Sequence, residues 1–335
     1  MMDDPDRRRL LIHIGPHKTG TSAIQKTLRY ARDRLAKNGI VYNDLQDHPG
    51  GIHRLADLAS TSKFDQAQPL LDDINKSSGL TILSSENFTR LNPGQVRQLI
   101  DRLDADDLRV VYYLRNPLNR LPSDWKELIK HGYGHSFGEW LAARFLTPLR
   151  DRTLNPGLAM GGWADAVGSD RFDIHLYDRI EDAAAQFLDL YCDGERQTIP
   201  GRQNESYTLA RTEALRALGG YQRHLIRCRD FDADVDALEQ RIEDAGKGFV
   251  QTIRMSLDQI VMKRIEAEII HRFGPSIQQP IDNAQLFETR TADWPFLAAQ
   301  FWFANDDVLA QATDLRRRIH TQLGPPQADP RLAEL

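Results

Sequence analysis

Residues 10–15 form a short apolar run that stops at a glycine, which reads as a buried strand. From Thr21 to Lys37 the apolar residues Ala23, Ile24, Leu28, Ala31 and Leu35 recur at helical spacing, and Asn38-Gly39 supplies the stop. Further buried strands are predicted at 81–85, 108–114 and 172–177. Helical patterns lie between them at 95–103, at 122–130 with Pro122 in the first turn, and at 163–167 after a break at Gly161-Gly162. Strands alternating with helices predict an α/β fold, a parallel sheet with helices on both faces. Beyond residue 182 the pattern turns helical, at 182–191, 208–227, 235–245 and 252–273. The last of these carries Ile253, Leu257, Ile260, Val261, Ile265 and Ile269 on one face. The expected organisation is an α/β core over 1–207, a helical part over 208–325 packed on it, and a frayed tail over 326–335.

Composition narrows the classes without choosing one. A hydrophobic content of 41% and a charged content of 27% suit an ordinary globular chain of 335 residues. The net charge of −5 argues against a general nucleic-acid binder. Cys192 and Cys228 cannot build a disulfide framework and lack metal-site spacing. The apolar run after Arg7–Arg9 is interrupted by His13 and preceded by acids, so it is not read as a signal peptide. No stretch reaches the roughly 18 apolar residues that span a bilayer, and a cytoplasmic protein is the expectation.

The chemistry gathers at Gly15–Ser22, G-P-H-K-T-G-T-S, between the first strand and the first helix. This is close to the phosphate loop G-x-x-x-x-G-K-S/T, but Thr21 follows the second glycine and the lysine, Lys18, comes three residues earlier. Such a turn offers backbone N–H groups and a helix dipole to an anion, with Thr19, Thr21 and Ser22 as further donors. A chance glycine turn before a capped helix is the plain alternative. The third strand runs into Arg115-Asn116-Pro117, with Ser123 eight residues after the arginine. An arginine at a strand tip suits a second phosphate, although pairing with a nearby carboxylate would explain it too.

Together these stretches resemble the sulfotransferases, most closely a bacterial branch with a K-T-G-T-T/S loop. The likeness rests on "GPHKTGTSAIQ" and "LRNPLNRLPSDW", with weaker echoes in "LSSENF", "HLYDRI" and "RQNESY". It covers roughly residues 10–207. It implies a P-loop NTPase-like sulfotransferase fold and transfer of a sulfuryl group from 3′-phosphoadenosine 5′-phosphosulfate (PAPS) to a hydroxyl, with a carbohydrate as the suggested acceptor and no metal. By the resemblance, Lys18 contacts the oxygen bridging phosphate and sulfate. Gly20, Thr21 and Ser22, with His17 and Thr19 in the same loop, hold the 5′-phosphate. Arg115 and Ser123 hold the 3′-phosphate, Tyr177 lies near the base, and Asn204 and Ser206 face the nucleotide. Two departures stand out: Ala23 occupies the place of a base-stacking aromatic, and "GKGF" at 246–249 is all that answers to the family's C-terminal R-K-G segment.

The acceptor must lose a proton, and two residues are candidates for the base. Glu86 follows the second strand, at the sheet edge where ligands gather. His53, in "GGIHRLADL", is the rival, because histidine is the side chain that ordinarily gains and loses a proton near neutral pH. A loop-tethering carboxylate and a surface histidine are the corresponding plain readings. A P-loop small-molecule kinase and a non-catalytic nucleotide-binding or scaffold protein remain the alternatives in function.

Overall fold

The structure is a computed structural model, and it describes residues 7–45, 51–192, 207–281 and 285–326. The chain divides into two compact units. The first comprises 1–117, 149–201 and 259–288; the second comprises 118–148, 202–258 and 289–335.

The first unit is built on five parallel strands: β1 (Arg9–His13), β2 (Ile40–Tyr42), β3 (Leu80–Ser84), β4 (Asp107–Leu114) and β5 (Phe172–Leu176), in the order β2-β3-β1-β4-β5. The central strand β1 is buried on both faces, which is why it reads as a continuous apolar run rather than an alternating one. Helix α1 (Thr21–Lys37) lays Ile24, Leu28, Ala31 and Leu35 against Leu11, Ile82 and Val111 of the sheet. Its bounds are those the periodicity predicts. Helices α2 (Gly51–Ser60), α3 (Phe64–Asn75) and α4 (Pro93–Ile100) follow, α4 opening on an Asn92–Gln95 capping box. The edge of β5 is covered by the chain near Ile277, where Gln278 N–H donates to the Ile174 carbonyl at 2.9 Å.

Two helices differ from the pattern-based expectation. Helix α5 runs Pro117–Lys130, so Pro117 takes the first-turn position and Pro122 lies inside the helix. After α6 (Phe137–Leu146), α7 runs Gly157–Val167 straight through Gly161-Gly162. The glycine pair is no break. It makes room, since a Cβ on Gly162 would sit 2.9 Å from the Pro93 Cα, and one on Gly161 would sit 2.9 Å from the Arg272 guanidinium. Helix α8 (Ala183–Tyr191), N-capped by Asp182, packs Phe187 and Leu188 into the same apolar cluster as α1.

The second unit holds α5 from Leu118 on, α6, and helices at Leu209–Ala217, Asp232–Gly246 and Asp306–Leu323. Phe137 packs against Trp125, Trp140 and Trp294 with ring centroids 5.4, 5.9 and 5.5 Å apart. Here the helical reading of 252–273 is corrected. Val250–Ser256 is a strand, β6, paired antiparallel with β7 (Thr291–Leu297), and the helix begins at Ile260.

The glycine packing gives a direct test. Gly162→Ala should lower stability by about 1–3 kcal/mol, because its new methyl meets backbone. Gly138→Ala, in α6 with open space around it, should be neutral or stabilising by up to about 1 kcal/mol. Urea unfolding curves of the two variants make the comparison.

Candidate active site

β1 delivers the chain at Ile14, whose N–H still donates to the Val111 carbonyl at 3.0 Å, into a loop that ends at Gly20. The loop turns through three left-handed residues, Gly15 (φ 37°), Lys18 (φ 67°) and Gly20 (φ 76°). Gly15 has no room for a side chain, as a Cβ there would lie 2.7 Å from Thr21 Oγ1 and 3.2 Å from the Glu86 Cα. Lys18 adopts this conformation despite its Cβ, at a cost on the order of 1–2 kcal/mol. The loop's carbonyls are tied down by side chains. Thr19 Oγ1 and Thr21 Oγ1 both donate to the Pro16 carbonyl, at 2.7 and 3.1 Å, and Arg115 Nη1 donates to the Lys18 carbonyl at 2.7 Å.

Helix α1 starts from this loop with Gly20 as its N-cap. No side chain caps it, and its first turn carries no acid. Its leading N–H groups and the positive end of its dipole are therefore available to an anion. The two threonine hydroxyls have committed their hydrogens to Pro16, so donation to a ligand falls to the backbone and to the exposed Ser22.

The end of β3 lies beside the loop, with Ser85 N–H donating to the His13 carbonyl at 3.1 Å. Ser85 caps a single 3-10 turn, Glu86–Arg90, that presents the Glu86 carboxylate. Glu86 Oε1 is 3.8 Å from His17 Nδ1, and Oε2 is 3.9 Å from His53 Nδ1 and 3.3 Å from Gln25 Nε2. Burial pushes this carboxyl up. The two imidazoles, its own backbone N–H and the Gln25 amide outweigh burial, and the net pKa lies below the ordinary 4.5. Glu86 is thus ionised at neutral pH.

His53, on α2, also pairs through Nδ1 with Ser85 Oγ at 2.9 Å, so it belongs to this cluster and is no bystander on the surface. His17 faces the same carboxylate. The sequence-predicted Lys18, Glu86, His53, His17, Thr19, Gly20, Thr21 and Ser22 thus all stand around the one loop.

Arg115 ends β4. Its Nε is buried with no hydrogen-bond partner among the described residues, and its guanidinium lies 5.5 Å from the centre of the Tyr177 ring. Tyr177 in turn flanks the loop, since a Cβ on Gly20 would come within 3.4 Å of its ring. Ser123 belongs to the second unit, where its hydroxyl donates to the Asn119 carbonyl at 3.3 Å. Asn204 and Ser206 lie outside the described residues.

Sequence reasoning passed over Gln25, Ser85 and His13. His13 is fully buried at the end of β1, with Nδ1 2.8 Å from Ser84 Oγ and its ring against Tyr113 and Phe187. Burial lowers its pKa to about 4. Among the described residues no His, Cys, Asp and Glu side chains gather in threes to hold a metal ion, and no helix is long and apolar enough to cross a membrane.

No family model and no curated protein sequence matches the chain. Among solved structures, a sulfotransferase from Alicyclobacillus acidocaldarius is similar at a TM-score of 0.39 and 17% identity, covering 67% of this chain and 96% of that one.

Two predictions follow from the loop and its surroundings. The unfolded chain protonates His13 near pH 6.5 and the folded chain only near pH 4, so between these values the unfolded state binds the extra proton. Stability should therefore fall by about 2 kcal/mol from pH 7 to pH 5 through this residue alone. Glu86 acts in the same direction lower down, its contribution being kept above pH 4.5 and lost as the pH falls through its depressed folded value. Denaturation curves of His13→Asn, which cannot titrate there, should show a shallower fall between pH 7 and pH 5. For the strained lysine, Lys18→Gly should be more stable than Lys18→Ala by about 1 kcal/mol, because only glycine adopts φ 67° without penalty. Equal stabilities would mean that the loop relaxes when the side chain is cut back.

Proposed function

We propose that this chain is a sulfotransferase that moves SO3 from PAPS to an acceptor hydroxyl, with a carbohydrate as the acceptor class that the sequence resemblance favours. The observation that carries the reading is Lys18. It stands in the left-handed turn of the loop two residues before an uncapped helix N-terminus, and Arg115 holds its carbonyl.

In sulfuryl transfer the S–O bond to the bridging oxygen breaks as the acceptor oxygen bonds to sulfur. The electron pair leaves with 3′,5′-bisphosphoadenosine, and the acceptor's proton passes to a base. Charge builds on the bridging oxygen, and an ammonium aimed there stabilises the transition state more than the ground state. The α1 N-terminus would take the 5′-phosphate. Arg115, with its unsatisfied buried Nε, would take a second anionic group on the ribose. Tyr177, flanking Gly20, fits a place beside the nucleotide base. Glu86 is ionised and so able to accept a proton, and His53 beside it is the other candidate.

Titration calorimetry tests the donor. 3′,5′-Bisphosphoadenosine should bind more tightly than AMP, each charge-assisted bond to the extra phosphate adding roughly 1.5–3 kcal/mol. Arg115→Ala should shrink that gap, with a smaller loss of AMP affinity because the Lys18 carbonyl in the loop also loses its partner. Lys18→Ala should lower turnover by about 100- to 1000-fold with a smaller loss of nucleotide affinity. Equal binding of the two nucleotides, or tight binding of ATP that requires magnesium, would replace this reading with that of a small-molecule kinase.

A further inference from the structure

Gln25 lies on α1, five residues after Gly20, on the same rigid helix whose N-terminus closes the loop. It is buried, and its single amide nitrogen reaches two acceptors on the β3 side. Nε2 donates to the Ser84 carbonyl at 3.1 Å and to Glu86 Oε2 at 3.3 Å. An amide suits this place because one nitrogen carries two hydrogens directed at two different oxygens. A glutamate there would set two carboxylates against each other, and an apolar side chain would leave the buried Ser84 carbonyl without this partner.

We infer that Gln25 is a positioning residue for the proposed transfer, fixing the Glu86 carboxylate relative to the anion-binding loop so that donor and proton acceptor share one frame. The inference rests on the sulfuryl-transfer reading. Glu86 would otherwise be a flexible side chain on a short turn, free to choose between two imidazoles on opposite sides, His17 near Oε1 and His53 near Oε2. Gln25 breaks that near-symmetry by engaging Oε2. Oε1, on the His17 side at 3.8 Å, is the oxygen that this amide does not engage and is the one assigned to take a proton. Because Gln25 lies on the helix whose N-terminus closes the loop, whatever seats an anion at that N-terminus also sets where Oε2 is held.

The test uses the full chain with Gln25→Met, which keeps volume and lacks the amide, and Gln25→Ala as a second variant should the first fail to fold. Carboxyl-carbon NMR, with the Glu86 resonance assigned by its loss in Glu86→Gln, follows the titration of that one group without any need for activity. Loss of the amide should move the Glu86 midpoint upward, since a hydrogen bond to the ionised form has gone. The rate of PAPS hydrolysis with water as acceptor should fall about 10- to 100-fold. The dissociation constant of 3′,5′-bisphosphoadenosine should stay within about twofold, as expected for a change in positioning rather than in donor binding. An unmoved midpoint in both variants, or lost nucleotide affinity with an unchanged hydrolysis rate, would overturn the inference. A raised midpoint in a chain whose parent binds no bisphosphate nucleotide would keep the Gln25–Glu86 clamp and remove the sulfuryl-transfer reading instead.

Discussion

The Pro16 carbonyl is the point on which the loop depends. It accepts both the Thr19 and the Thr21 hydroxyl, one from within the loop and one from the first turn of α1. A loop that binds an anion must keep its own carbonyls from facing the negative charge. Here the Pro16 oxygen is engaged by two hydroxyls and the Lys18 oxygen by the Arg115 guanidinium. Each of these bonds contributes only about 1 kcal/mol, more for the charged one. Together they hold a left-handed lysine that costs a comparable amount. The strained residue is thus retained by bonds made on either side of it. That arrangement fits a residue kept for its chemistry, since a glycine would hold the turn more cheaply.

Fixing the loop also fixes the distances around it. Gly15 brings the loop within van der Waals reach of the Glu86 backbone, and the Ser85–His13 bond ties the end of β3 to the end of β1. Parallel pairing in register, Ile12 with Leu83 and Val110, makes neighbouring strands end at the same edge. The lysine loop on β1, the carboxylate after β3 and the arginine after β4 are neighbours for that reason, although nearly a hundred residues separate Lys18 from Arg115. An open parallel sheet collects chemistry at its carboxyl edge in this way.

What the sequence disclosed follows from how local each signal is. Helix α1 was legible to the residue, because five apolar positions at one spacing lie between a glycine and an Asn-Gly stop. The strand β2 was not, since three residues at a sheet edge carry too little pattern. Residues 252–256 were misread because Ile253 and Leu257 suit a helical period as well as a strand, and the choice is made by β7, some forty residues away. Gly161-Gly162 looked like a break because the reason for it, close approach of Pro93 and Arg272, is not local either. In the site, Lys18, Arg115 and Glu86 were legible because each ends or follows a strand. Gln25 was hidden in plain helical sequence, and its two acceptors lie some sixty residues on.

The same non-locality changes the question of the base. From sequence, Glu86 and His53 are rivals. In the fold they are neighbours, sharing Ser85 and lying 3.9 Å apart. The environment lowers the Glu86 pKa, which makes it a weak base, and the two imidazoles contribute to that lowering. In the transfer proposed above a weak base suffices, because the acceptor hydroxyl becomes strongly acidic only as its oxygen bonds to sulfur and the proton then moves late. The three side chains are close enough that the effect of deleting one includes the response of the others. Gln25 adds one more constraint to this set, since its amide engages Oε2 on the His53 side and joins the carboxylate to the helix that opens from the loop.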